Sequence, residues 1–172
     1  QFVCVAGSFS KTFAMTGWRI GYTIANEEWT RAMTKLQSHS ASHPTSFVQY
    51  ACARALQDSQ ASMTAVGSML AEYERRRDWL IPQLNAIRGF KCAMPEGAFY
   101  AFVDVREMLG DEFKTSADVA DKMLSECQIV ATDGKPFGAE GFIRLSYATS
   151  MQNLENAIER LRNLFGTSSM SA

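Results

Sequence analysis

Two short apolar stretches near the amino terminus constrain this chain most. Gln1–Ala6 and Trp18–Ala25 are rich in apolar, β-branched and aromatic side chains, and each reads as a strand. Only a polar loop over Gly7–Thr12 and a glycine turn at Gly17 punctuate the interval between them. Strands this apolar demand cover on both faces, as inside an α/β layer structure. Two strands cannot supply that cover by themselves. The expectation is that they complete a larger sheet and that the chain begins inside a longer protein.

Helical periodicity takes over downstream. Asn26 offers an N-cap with Glu27 and Glu28 in the first turn, which predicts a helix to about Gln37. A loop over 38–45 holds both histidines, and a second helix is expected from about Ser46 to Gln57. The longest pattern runs from about Ser59 to Ile87, with Met63, Val66, Met69, Leu70, Tyr73 and Trp79 at spacings near three and four. Its mixed-sign run Glu72–Asp78 suits a solvated face. Pro82 predicts a kink or a restart, and Gly89 a left-handed cap. Strands are then expected at 90–94 and 98–105 around Pro95-Glu96-Gly97, followed by a helix over 116–126 capped by Ser116. Short strands at 129–131 and 142–147 flank a glycine-rich loop, and a helix over 153–165 closes the pattern. The tail 166–172 has the small, polar composition of a disordered end. Residues 1–58 thus read as the end of an α/β unit. Residues 59–172 read as a smaller α+β domain led by the long helix.

Composition narrows the class. Of 172 residues, 47% are hydrophobic and 20% charged, the balance of a soluble globular protein. The formal net charge, 17 − 18 = −1, gives no electrostatic case for nucleic acid or an anionic membrane as partner. No apolar run approaches the roughly 18 residues of a membrane span. Cys4, Cys52, Cys92 and Cys127 are scattered without metal-ligand spacing, so no metal site is expected; Cys4, Cys52 and Cys127 sit among apolar residues, and the four read as ordinary buried thiols of a reducing cytosol.

The chemistry is concentrated in Ser8-Phe9-Ser10-Lys11-Thr12-Phe13-Ala14-Met15-Thr16-Gly17-Trp18-Arg19-Ile20-Gly21-Tyr22. A lysine amine becomes a useful nucleophile when desolvation or a nearby cation lowers its pKa. Arg19, eight positions beyond Lys11, could supply that cation. Ser8, Ser10 and Arg19 together could hold a dianion, two hydroxyl donors beside a forked guanidinium. A lysine able to form an imine beside a phosphate cradle is what pyridoxal 5′-phosphate requires.

Taken whole, this segment resembles the signature around the cofactor lysine of class I/II aminotransferases, fold type I pyridoxal-phosphate enzymes related to aspartate aminotransferase. The resemblance implies that Lys11 forms the Schiff base with the cofactor and shuttles the substrate proton. It implies that Ser8 and Arg19 bind the cofactor phosphate, a contact that Ser10 also makes in some members. Gly17 and Gly21 would be structural turns. Downstream, Gly141-Phe142-Ile143-Arg144-Leu145-Ser146-Tyr147 resembles the family strand whose arginine binds the substrate α-carboxylate, which assigns that role to Arg144. Burying part of an arginine without an anion is costly, so the alternating apolar setting of Arg144 agrees. The loop before this strand reads Thr132-Asp133-Gly134-Lys135, with charges where many members carry a hydrophobic-glycine run. Ser42–Gln49 resembles the segment that approaches the partner subunit's active site, with His43 read as a loop residue, and Pro95–Tyr100 resembles a strand entry of the small domain.

The resemblance covers residues 1 to about 165. It implies an α/β fold: the end of a fold type I large domain at 1–58, then the small domain at 59–172. It further implies transfer of an amino group from an L-amino acid to a 2-oxo acid, and a cytoplasmic homodimer. A lyase or decarboxylase on the same scaffold, or an aminotransferase-like sensor domain of a transcription regulator, are the alternatives. The family's other cofactor contacts precede the lysine, and none can be placed in these residues. They include the aspartate at the pyridine nitrogen, the stacking ring and the glycine/serine-rich helix start.

Overall fold

The computed structural model describes residues 3–167. They divide into two compact units, one up to Leu70 and one from Ala71, the division falling within one long helix. Gln1 and Phe2 of the expected first strand, and 168–172 of the expected tail, lie outside the described residues.

The first unit opens with an antiparallel pair, β1 (Val5–Ser8) and β2 (Gly21–Ile24), in register Val5↔Ile24 to Ser8↔Gly21. The expected strands are present but shorter. The chain between them folds into a loop and a 3-10 turn over Thr16–Trp18, which removes Trp18 from the strand. Both strands are largely exposed, and so is Cys4, which the sequence reading placed among apolar neighbours. This chain supplies too little sheet and helix to cover them. Helix α1 (Glu27–Ser40) starts at Asn26, whose Oδ1 accepts from the Trp29 amide at 2.9 Å. Because α1 runs past the expected Gln37, His39 lies in its last turn, and the loop before helix α2 (Ser46–Gln57) holds only one of the histidines, His43.

Helix α3 (Ser59–Asn85) is continuous. Pro82 lies inside it without restarting it. Proline removes one helical hydrogen bond, and here the flanking Leu80, Ile81 and Leu84 are all buried in the core of the second unit. That burial, worth about 1.5–3 kcal/mol per large side chain, outweighs the lost bond.

In the second unit, strands β3 (Lys91–Cys92), β4 (Tyr100–Asp104), β5 (Thr132–Asp133) and β6 (Phe142–Ser146) make a four-stranded antiparallel sheet in the order β3-β4-β6-β5. Helices α4 (Ser116–Cys127) and α5 (Met151–Phe165) complete it. Alternation sorts the strands by face. Ala101, Val103, Ile143 and Leu145 point into a core shared with Val119 and Met123 of α4 and Ile158 and Leu161 of α5. Tyr100, Phe102, Asp104, Phe142, Arg144 and Ser146 take the other face. Tyr147, fully buried, donates its hydroxyl to the Ala98 carbonyl at 3.1 Å and holds the entry to β4.

Ser116 does not cap α4. Thr115 does, in a capping box with Asp118. One step inside, Ser116 is completely buried. Its hydroxyl donates to Asp133 Oδ1 at 2.7 Å and accepts from the Gly141 amide at 3.0 Å. It thereby ties α4 to both ends of the 133–141 segment. Ser116→Ala strands a buried amide and a half-buried carboxylate. It should lower the stability of the intact protein by about 1–3 kcal/mol, read as a lower denaturation midpoint.

Glu72 on α3 accepts from Arg75 at 2.8 and 2.9 Å and from Arg76 at 2.8 Å. These bonds, that from Arg75 foremost, hold its carboxyl down to about 2. A depressed carboxylate stabilises the fold above the ordinary glutamate range, and the contribution is lost as pH falls toward about 2. Arg75→Ala should move the Glu72 midpoint up toward the ordinary range, as read by carboxyl NMR titration.

Candidate active site

The segment 8–22 is built around a small core of its own. Phe9 and Ile20 are buried with Val48 and Cys52 of α2, and Phe13 and Met15 pack against them. Phe9 also meets the rings of Phe13 at 5.3 Å and Tyr22 at 5.6 Å. Lys11 lies between two of these anchors in sequence. Its loop is closed by backbone bonds from Phe13 to the Phe9 carbonyl and from Ala14 to the Lys11 carbonyl. Lys11 itself is exposed.

Hydrogen bonds join the three expected phosphate ligands into one network. The Ser8 hydroxyl donates to Ser10 Oγ at 2.8 Å and accepts from the Ser10 amide at 3.0 Å. Thr16 donates its hydroxyl to the Ser10 carbonyl at 3.0 Å. The carbonyl of the same Thr16 accepts from Arg19 Nη1 at 3.2 Å. Thr16 is therefore the bridge between the serines and the arginine. The sequence reading gave it no role, because a lone threonine before a glycine has no distinctive spacing. Arg19 sits at φ 52°, in the left-handed region, and closes the 3-10 turn before β2. A non-glycine residue held there costs about 1 kcal/mol or more, a cost often found at functional positions.

This donor set suits a dianionic phosphate. Arg19 has five N–H donors and spends one on Thr16. The serine hydroxyls converge on each other within the same loop. An open cleft of about 660 Å³ adjoins Arg19, lined also by Trp18, His43, Pro44 and Phe47. His43 is exposed there and its Nδ1 lies 2.7 Å from the Pro44 carbonyl.

Close approach of β1 and β2 requires glycine at position 21, whereas at Gly7 a side chain would displace only the exposed Tyr22 ring. A Cβ on Gly21 would lie 2.7 Å from the Gly7 carbonyl oxygen, and one on Gly7 would lie 2.3 Å from the Tyr22 ring. Nothing lies within 4 Å of a Cβ built on Gly17. The two glycines of the motif thus differ in kind.

In the second unit, Arg144 is half-buried on the outer face of β6. Its guanidinium carbon lies 4.5 Å from the ring centroids of both Tyr100 and Phe137. Among the described residues no hydrogen bond or ion pair engages it. The charges that distinguish the preceding loop are absorbed locally: Asp133 by Ser116, and Lys135 by Glu140 at 3.7 Å. Phe137 sits in a 3-10 turn over Lys135–Phe137. Neither ring was singled out for Arg144 from sequence, because the contacts join residues 7 and 44 positions away from it. No group of three or more histidine, cysteine, aspartate or glutamate residues that could hold a metal occurs among the described residues. No helix of the described chain is long and apolar enough to cross a membrane.

Comparison with known proteins agrees with this architecture. The family model for aminotransferase class I and II matches residues 2–161. An aspartate/prephenate aminotransferase of Nitrosomonas europaea is 40% identical over 167 residues, 93% of this chain and 41% of that protein. An aspartate aminotransferase of Bacillus sp. strain YM-2 is 43% identical over 158 residues, 91% of this chain and 40% of that protein. The crystal structure of an aromatic aminotransferase from Pyrococcus horikoshii superposes with a TM-score of 0.84 at 40% identity, covering 94% of this chain and 42% of that one. The aspartate aminotransferase of Thermus thermophilus crystallised with maleate gives a TM-score of 0.84 at 37% identity, over 94% of this chain and 41% of that one.

The fold is thus that of the fold type I pyridoxal-phosphate enzymes, in its carboxyl-terminal portion. Within that class the chain belongs to the aminotransferase class I and II family, whose members use pyridoxal phosphate. It spans about two-fifths of the length of the relatives it matches.

The glycine contrast has a direct test. In the intact protein, Gly21→Ala should prise β1 from β2 and cost about 1–3 kcal/mol. Gly17→Ala should leave the thermal midpoint unchanged.

Proposed function

We propose that the protein containing this chain is an aminotransferase that moves an amino group from an L-amino acid to a 2-oxo acid with pyridoxal 5′-phosphate. The observation that carries the reading is the network joining Ser8, Ser10, Thr16 and Arg19 on the loop that presents Lys11. Bound there, pyridoxal phosphate supplies the electron sink for charge developing at the substrate α-carbon.

The chain's own residues carry the rest. Lys11 would hold the resting cofactor covalently through Nζ; once the amine of the incoming amino acid displaces it, the freed Lys11 amine would take the proton from the substrate α-carbon. Arg19, with Ser8 and Ser10, neutralises and orients the phosphate. Arg144 takes the α-carboxylate through paired N–H donors. Residues 1–58 complete the large cofactor-binding domain, and 59–172 form the small domain led by α3. The assembly is a cytoplasmic homodimer, without nucleic acid or membrane as partner. The relatives are named for transamination of aspartate, prephenate or aromatic amino acids, which favours amino transfer over lyase or decarboxylase chemistry and over a sensor role.

Borohydride reduction of the intact protein, followed by peptide mass spectrometry, tests the assignment. The expected result is a phosphopyridoxyl group on the Lys11 peptide and none in Lys11→Ala. A reducible imine persisting in that variant sinks it. For Arg144→Ala, loss of charge-assisted hydrogen bonds should raise KM for the amino acid about 10- to 100-fold. A KM equal to that of the parent removes Arg144 from carboxylate binding.

A further inference from the structure

We infer that Phe137 and Tyr100 are positioning residues for Arg144 and that together they set how tightly a carboxylate is held there. The inference rests on the carboxylate-binding role of Arg144 proposed above. A guanidinium is a flat cation whose faces attract aromatic rings and whose N–H donors all point outward in its plane. The Arg144 guanidinium carbon lies over both rings, 4.5 Å from each centroid. Among the described residues no hydrogen bond takes its donors, so the fork stays available for the two oxygens of one carboxylate.

The acidic groups of the surrounding strands are committed elsewhere. Asp104 pairs with Arg106 at 2.6 Å, Glu140 with Lys135, and Asp133 with Ser116. Each would otherwise compete for the guanidinium and fill the place of a ligand. Two rings thus hold the cation where an acid would have quenched it.

The segment bearing Phe137 is built to hold still. The Phe137 amide donates to the Gly134 carbonyl at 2.9 Å, and the Gly134 amide donates to the Phe142 carbonyl at 2.8 Å. A Cβ on Gly134 would lie 2.4 Å from the Ala139 carbonyl oxygen, so only glycine closes the turn this tightly. Gly138 leaves the turn at φ +77°, in the left-handed region. Ser116 anchors the far end through the Gly141 amide. Phe137 remains 52% exposed. A large apolar side chain on a turn this constrained contributes little to the core, and its contact with Arg144 gives the ring a purpose.

The test uses the intact, cofactor-loaded protein, with succinate as a carboxylate probe that carries no amino group to transfer. Phe137→Leu and Tyr100→Leu remove one ring each, whereas Phe137→Tyr and Tyr100→Phe keep it. Each leucine variant should weaken succinate binding in calorimetric titration about 3- to 20-fold. Each should raise KM for the amino acid by a similar factor while kcat holds, and the ring-retaining variants should restore both. The two positions lie on different elements, so misfolding of one variant leaves the other to decide. Parent-like succinate affinity in both leucine variants, with affinity lost in Arg144→Ala, overturns the inference and leaves the carboxylate role standing. Unchanged affinity in Arg144→Ala removes that role and the inference with it. A fall in kcat at constant KM, or failure of Phe137→Tyr to restore binding, also overturns the inference.

Discussion

The pairing of β4 with β6 decides which side chains of the second unit meet the core and which remain outside. Because a strand alternates with period two, the register Ala101↔Leu145 and Val103↔Ile143 carries the apolar set inward. The same register sends Phe102, Arg144, Tyr100 and Phe142 outward. A slip by one residue would bury Arg144 and expose Ile143, which the core of α4 and α5 side chains forbids. The outward place of Arg144 is thus a by-product of hydrophobic burial on the opposite face. Its precise setting then depends on the 133–141 segment, which Ser116 ties to α4.

The first unit solves a different problem with fewer residues. Its loop must hold three donors near one another on a surface the chain does not bury. Phe9 and Ile20, fixed against α2, set the two ends of the motif. Thr16 then links the Ser10 backbone carbonyl to Arg19, donating its hydroxyl to the one and accepting at its own carbonyl from the other. The apolar members of the motif thus have a plain structural task, the scaffold of the polar ones. The strands themselves stay exposed, in accord with a chain that spans about two-fifths of its relatives.

Much of this was legible from residue order. Helices α1 and α2 begin at the expected positions, within a residue, because an N-cap or a loop-to-helix change marks each. The strands were harder. Expected over 90–94 and 129–131, they shrink to Lys91–Cys92 and shift to Thr132–Asp133, since pairing partners rather than apolar content set strand ends. That α3 runs through Pro82 without a restart, and that Ser116 sits inside α4 rather than capping it, have a common reason: local propensity favours the other outcome, while burial on the core side of α3 and α4 decides.

The sequence by itself determined the chemistry on offer: a loop lysine flanked by serines and an arginine, a second arginine on an alternating strand, and a family likeness that runs nearly the whole chain. These follow from residue types at short spacing, where the covalent chain dictates proximity. The tertiary structure alone decided that Thr16 bridges the donors. It alone decided that Gly21 rather than Gly17 is sterically required. It also brought Tyr100 and Phe137 to the same guanidinium across separate elements. Such contacts arise from register and loop closure, which burial of the whole unit selects and which no local pattern encodes.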